Sequence, residues 1–156
     1  MRVAKDESEQ KALDNIREYG LHIIGVAEDS TGPGFAYSVG LFENYVHPEI
    51  IIFGLKTDLA HLLLNNMAFD IMEGRTFTPG EFHDNVLDDF LCYFGNVDRT
   101  HYKDFVGWAS WFYRGDDFPL LQCVYPTRQN VFPWQKDFPE ETKWFCPLLI
   151  QPPKEH

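Results

Sequence analysis

The sequence lacks long apolar runs and is poor in cysteine. No run approaches the roughly 20 apolar residues of a membrane-spanning helix, and the N-terminal residues MRVAKDESEQ are too polar for a secretory signal. Cys92, Cys123 and Cys146 form an odd, widely spaced set, which is typical of free thiols in a reducing compartment. We therefore expect a cytoplasmic protein without a membrane anchor.

Several catalytic and metal-binding motifs are also missing. His47-Pro48-Glu49 matches the His-x-Glu unit of zinc deaminases, but the cysteines are too far apart to complete that zinc site. No His-Glu-x-x-His or Walker motif occurs. Ser38 lies in Ala-Tyr-Ser-Val-Gly rather than in a nucleophile elbow. The sequence predicts neither a metal nor a cofactor, and it identifies no catalytic residue.

Basic residues are scarce, with 13 Lys and Arg against 24 Asp and Glu and a formal net charge of -11. Nucleic acids and anionic membranes are poor partners for such a chain, because both are bound mainly through Lys and Arg. A basic protein partner would be favoured, since opposite fields speed encounter. The alternative is that the charge serves only solubility.

The length and composition fit one compact domain. The chain has 156 residues, of which 44% are hydrophobic and 14 are Phe. This is enough to build a core without disulfides or metal. We expect a single domain over residues 1–156, with flexible ends at 1–5 and 152–156.

Three helices are predicted. The first runs from Asp6 to Tyr19, where acids come early, bases come late and Gly20 ends it. The second runs from Asp58 to Glu73 with Thr57 as its N-cap. A third covers residues 101–113, capped by Thr100. The apolar residues of the second helix should form a core stripe at helical spacing, namely Leu59, Leu62, Leu63, Met67 and Ile71.

The predicted strands come mostly as hairpins. They are Leu21–Ala27, Phe35–Leu41 and Glu49–Leu55, followed by segments in 76–86, 88–97 and 119–126 and a short edge strand in the tail 144–153. The third is nearly all apolar, as for a central strand covered on both faces. The fold class is therefore α+β, a largely antiparallel sheet with two or three packed helices. A split-barrel-like closure is an alternative.

Two groups of motifs resemble a bacterial family known as domain of unknown function 4262. Gly34–Leu41 is similar to its phrase GFAYTIGL, His47–Leu55 to HPELIIFGL, and Leu63–Asn65 to its LLN helix. LLQCVYPTRQNVFPWQ is similar to LQLVWPDRDGRFPW, and CPLLIQP to the closing segment. The resemblance covers roughly Ile16 to Pro152. Thr127 replaces the family's Asp, and the resemblance implies no activity.

Polar residues in the apolar segments suggest a small-molecule pocket. His61 and Asn65 share one helix face at i, i+4, and an antiparallel return could bring them toward the His47 loop. Phe132-Pro133-Trp134 would close the hollow. The candidate ligand-binding residues are Ser38, His47, Glu49, His61, Asn65 and Trp134. The alternative is that these side chains only tether backbone groups or fill the core.

Acidic clusters suggest a protein-binding surface instead. The candidate residues are Glu81, Asp84, Asp88, Asp89, Asp116 and Asp117, with Phe82, Phe90, Phe118 and Phe138 beside acids. Aromatic anchors dominate binding energy at interfaces, although charge runs are often only solvated faces. The favoured function is a non-catalytic, acidic binding domain of immunity or adaptor type that engages a basic protein. A small-molecule or nucleotide-binding pocket, with or without catalysis, is the alternative.

Overall fold

A computed structural model describes residues 2–154 of the chain. Met1, Glu155 and His156 lie outside the described residues, so the predicted flexible ends fall partly there. Within residues 2–154 the chain forms six strands and six α-helices. In chain order these are α1 (Glu7–Tyr19), β1 (His22–Val26), β2 (Phe35–Val39), α2 (Leu41–Tyr45), β3 (Glu49–Phe53), α3 (Thr57–Met72), β4 (Glu81–Leu87), β5 (Phe90–Asn96), α4 (Tyr102–Phe105), α5 (Gly107–Tyr113), β6 (Leu120–Val124) and α6 (Glu140–Lys143).

The strands form one open sheet in the order β1-β2-β3-β6-β5-β4. β1, β2 and β3 pair antiparallel, and so do β4, β5 and β6. The two halves meet at the parallel pair of β3 and β6, where Glu49 lies opposite Leu120. The predicted α+β class with a mostly antiparallel sheet is confirmed. The edges at β1 and β4 remain separate, so the sheet does not close as a split barrel.

Helices cover both faces of the sheet, which explains the sequence of its central strand. Along β3, Ile50 and Ile52 pack on the α3 side, whereas Ile51 and Phe53 pack against α1, α4, α5 and the C-terminal segment. All five residues of β3 are buried. The predicted central strand is therefore confirmed, and its apolar run follows from burial on both faces.

α3 packs on the sheet with one side only. Leu63, Met67 and Ile71 are buried as predicted, but Leu59 and Leu62 are 39% and 54% exposed. The prediction of a five-residue core stripe is therefore wrong for these two leucines. The helix also begins at Thr57, one residue earlier than predicted, so that Lys56 takes the N-cap position without a side-chain capping bond.

The predicted third helix is broken into pieces. Residues 99–101 form a 3-10 turn capped by Asp98, whose Oδ1 accepts the Thr100 N–H at 2.9 Å. Val106 leaves helical geometry and separates α4 from α5. Thr100 is thus inside the turn rather than its cap. Asp98 takes that role because its side chain reaches the free N–H two residues on.

The tail forms no strand within residues 144–154, contrary to prediction. Its backbone bonds instead to the side chain of Gln122 in β6, whose Nε2 donates to the Pro147 carbonyl at 2.7 Å and whose Oε1 accepts the Leu149 N–H at 2.8 Å. A buried side-chain amide can satisfy an irregular segment in this way. Leu149 and Ile150 of this segment are buried.

Candidate functional site

Glu49 carries a fully buried carboxylate at the start of β3. Ser38 donates its hydroxyl to Oε1 at 2.8 Å, and Tyr113 donates its own to Oε2. Three successive backbone N–H groups complete the shell, at 2.9 Å from Gly40 and 3.2 Å each from Leu41 and Phe42. These three groups belong to the first turn of α2 and have no partner within the helix. The carboxylate therefore closes the β2–α2 turn.

The same hydrogen-bond network around Glu49 explains the polar residue Ser38 in β2. The strand pairing of β2 with β3 ends at Tyr37 and Ile51, and beyond it the Ser38 hydroxyl accepts the Ile50 N–H at 3.0 Å. Burial raises the pKa of Glu49, while its hydrogen bonds from Tyr113 and Ser38 oppose that shift. Ser38 and Glu49 are therefore occupied by structural bonds within the fold.

His47 is buried and bonded at both ring nitrogens. Nδ1 lies 2.8 Å from the Pro48 carbonyl oxygen, and Nε2 accepts the Phe77 N–H at 3.0 Å. An accepting Nε2 places the proton of the neutral ring on Nδ1. Burial lowers the pKa of His47, so that the neutral ring is favoured. His47 thus tethers the segment after α3 to the loop before β3.

Trp134 lies away from His47. Its indole stacks on Phe132 with ring centroids 4.9 Å apart and packs in the core on the α1, α4 and α5 side of the sheet. The His47 ring contacts Phe77, which belongs to the core on the α3 side. The two side chains are therefore on opposite faces. The predicted hollow between the His47 loop and Trp134 does not form.

His61 and Asn65 are exposed and face a different part of the molecule. Together with Lys11, Asn15 and His22 they line a groove of about 440 Å³ between α1, β1 and α3. Asn15 Nδ2 lies 3.0 Å from His22 Nδ1 there. Of the six predicted pocket residues, only His61 and Asn65 line this groove, while Ser38 and Glu49 are bonded to each other inside the fold. No local motif indicated that α1 and β1 would supply the other side chains.

The predicted acidic residues divide between two ends of the sheet. Asp84, Asp88 and Asp89 line one shallow surface groove around the β4–β5 turn, and we call them the acidic hairpin. Asp116 and Asp117 precede β6 at the far end of β5, which is about 20 Å long. Glu81 begins β4. Phe118 and Phe138 are buried and cannot serve as interface anchors, whereas Phe82 is 44% exposed.

The outer side of α3 carries an apolar surface, and two of its residues, Leu59 and Leu62, were predicted to lie in the core. We call it the α3 stripe, and it consists of Leu59, Leu62, Phe69 and Met72, which are between 38% and 61% exposed. Leu62 and Phe69 are two turns apart, about 10 Å along the axis. The sequence does contain a signal for this exposed surface, because α3 has more apolar residues than one buried side needs.

The α3 stripe and the acidic hairpin belong to one continuous surface. Asn85 of β4 lines the hairpin groove and also a second groove that includes Phe69, Asp70 and Glu73 of α3. Between them Arg75 bridges Asp70 at 3.2 Å and Asp84 at 3.4 Å. Apolar side chains are thus flanked by carboxylates on both α3 and β4.

Within residues 2–154, no helix combines the length and apolar character needed to cross a membrane. In the same part of the chain, no three His, Cys, Asp or Glu side chains are grouped as metal ligands.

These features define an α+β domain with an open mixed sheet, helices on both faces and an internally bonded carboxylate at its central parallel junction. The chain belongs to the family described as "Domain of unknown function (DUF4262)", whose profile matches residues 15–139. The resemblance seen in the sequence motifs is thereby confirmed, and the matched range includes Ser38, Glu49 and Tyr113. No curated protein and no solved structure matches the chain.

Proposed function

We propose that this chain is a non-catalytic, protein-binding domain that docks a basic partner on the α3 stripe and the acidic hairpin. The observation that carries the proposal is the exposure of Leu62 and Phe69, 54% and 61%, at the centre of the outer side of α3. Clustered apolar side chains with a polar rim are typical of protein interaction surfaces.

Charge supports a basic partner. The rim holds Asp70, Glu73 and the three aspartates of the acidic hairpin, and Arg75 is already paired with Asp70 and Asp84. The chain as a whole has a net charge of -11. Such a field accelerates encounter with a cationic surface and disfavours acidic competitors. An immunity-type or adaptor role is compatible with this chemistry.

The cytoplasm is the compartment that we propose for this role. Cys92, Cys123 and Cys146 are free thiols, as is usual in a reducing compartment.

Site-specific photo-crosslinking tests the proposal. A photoreactive residue at Leu62 should capture one basic protein in cells, whereas the same residue at Lys103, exposed on α4 across the sheet, should not. With the purified partner, Phe69→Ser should weaken binding by roughly tenfold or more, as for an interface anchor. Added salt should weaken binding as well.

Three results would contradict the proposal. Equal capture from positions 62 and 103 would place the interface elsewhere. An acidic partner, or binding that is insensitive to salt, would contradict the role of the rim. A dimer of this chain that Phe69→Ser dissociates would show that the α3 stripe pairs with a second copy instead.

A further inference from the structure

We propose that the groove between α1, β1 and α3 is a binding site for a small organic anion, a molecule that joins a carboxylate to an apolar body. The groove measures about 440 Å³, within the usual range for small-ligand sites. It lies on the flank of α3 that faces β1, whereas the acidic rim lies on the flank that faces β4. This inference does not rest on the proposed protein-binding function.

The electrostatic character of the groove is opposite to that of the chain. Among the described residues, its lining includes Lys11, His22 and His61 but no Asp or Glu, although acids outnumber Lys and Arg across the sequence. Burial is the largest cause of the lowered pKa of His22, and the charges of Lys11 and His61 follow. Lys11 and His61 are therefore both close enough to His22 to act on it electrostatically.

A hydrogen bond inside the groove makes Nε2 of His22 a donor. Asn15 Nδ2 is an amide donor, and it lies 3.0 Å from His22 Nδ1, so Nδ1 accepts. The neutral His22 ring then carries its proton on Nε2. Asn15 thus acts as a positioning residue that fixes the tautomer of His22.

The remaining lining fits both parts of the proposed ligand. The Lys11 ammonium group supplies positive charge, and His22, His61 and Asn65 supply N–H donors for carboxylate oxygens. The neighbouring Tyr19, Leu21 and Ile23 provide an apolar wall. A carboxylate attached to a ring or alkyl body would use both surfaces, which a bare inorganic anion would not.

An NMR titration at neutral pH tests this site with benzoate as the probe and benzamide as its uncharged counterpart. Benzoate should produce saturable shifts in the imidazole resonances of His22 and His61, and benzamide should bind roughly tenfold more weakly or not at all. Inorganic phosphate is the third arm. It should bind more weakly than benzoate because it lacks the apolar body.

Variants link the shifts to the groove. Lys11→Gln and His61→Gln should each weaken benzoate binding by roughly tenfold, while Lys103→Gln, on α4 and outside the groove lining, should leave it unchanged. Lys11 and His61 are exposed, so both variants should fold, which circular dichroism would verify. The proposal is overturned by an absence of benzoate shifts, by equal binding of benzamide or phosphate, or by unchanged binding in Lys11→Gln.

Discussion

The backbone N–H of Phe77 donates to Nε2 of His47 over 3.0 Å, and this bond requires an unprotonated Nε2. Because burial lowers the pKa of His47 below its ordinary 6.5, the unfolded chain takes up a proton at a higher pH than the native chain. The contribution of His47 to the free energy of unfolding is complete above about pH 6.5 and is lost as the pH falls toward the lower native value.

Urea unfolding of wild type and His47→Gln between about pH 7 and about pH 5 measures this contribution. The Gln amide oxygen can replace Nε2 as acceptor but does not titrate there. The variant should therefore lose less stability on acidification than wild type. His22 also has a lowered pKa and remains in both proteins, so their difference reports His47. Parallel pH profiles would show that His47 does not titrate as the structure implies.

Glu49→Gln should destabilise the protein by about 3 kcal/mol. The new amide group would turn its own N–H donors toward the donors of Ser38, Tyr113 and the α2 backbone. Tyr113→Phe should cost about 2 kcal/mol. Because these two residues are bonded to each other, the double variant should lose less than the sum of the single losses.

Chemical denaturation of the four proteins in this cycle gives the coupling directly. Glu18→Gln, at an exposed position of α1, is the matched control and should stay within about 0.5 kcal/mol of wild type. Strict additivity of Glu49→Gln and Tyr113→Phe would argue against the bond between them.

Adjacent leucines in α3 should respond very differently to truncation. Leu63 is 6% exposed and Leu62 is 54% exposed. Leu63→Ala should cost about 2–5 kcal/mol in the free energy of unfolding, whereas Leu62→Ala should cost about 0.5 kcal/mol or less. Thermal or urea unfolding of both variants checks the phase of the helix, and similar losses would mean that the outer side is covered in the native protein.

The thiols should react in two steps. Cys92 and Cys123 are buried, and Cys146 is half-buried. Burial raises the pKa of Cys146, and the pKa of Cys123 is raised first by its contact with the Cys92 thiol and then by burial. Native protein should therefore expose at most the Cys146 thiol, slowly, to a disulfide reagent, and denatured protein should expose all three. Cys146→Ser should abolish the native reaction, and rapid modification of that variant would contradict the burial of the strand thiols.

Strands and long helices were predictable because their patterns are local. The buried run of β3 and the ends of α1 follow from apolar composition and charge order. α2 was missed because its five residues depend on Glu49, which lies beyond them in the chain. The prediction that Leu59 and Leu62 of α3 lie in the core was wrong because hydrophobicity alone cannot distinguish a core residue from an interface residue.

The candidate pocket failed for a related reason. His47, Glu49 and Ser38 are polar residues in apolar segments, and that pattern suits a binding site as well as a buried tether. The partners that decide between these roles, Phe77 and Tyr113, come from distant elements. The parallel pairing of β3 with β6 was likewise invisible, because no local motif records which strands become neighbours.

The parallel junction also has a kinetic consequence. In each three-stranded half of the sheet, strands that are consecutive in the chain pair with each other, and the longest connection within a half is residues 97–119, between β5 and β6. Each half can therefore form by closing shorter loops than the union of the two halves requires. Joining β3 to β6 closes a much longer loop, and Glu49 stands at that seam, opposite Leu120 and bonded to Tyr113 of α5. The slow step of folding, limited by loop-closure entropy, should then be the joining of two preformed halves of the sheet. The hydrogen bonds of the Glu49 carboxylate should form in that step.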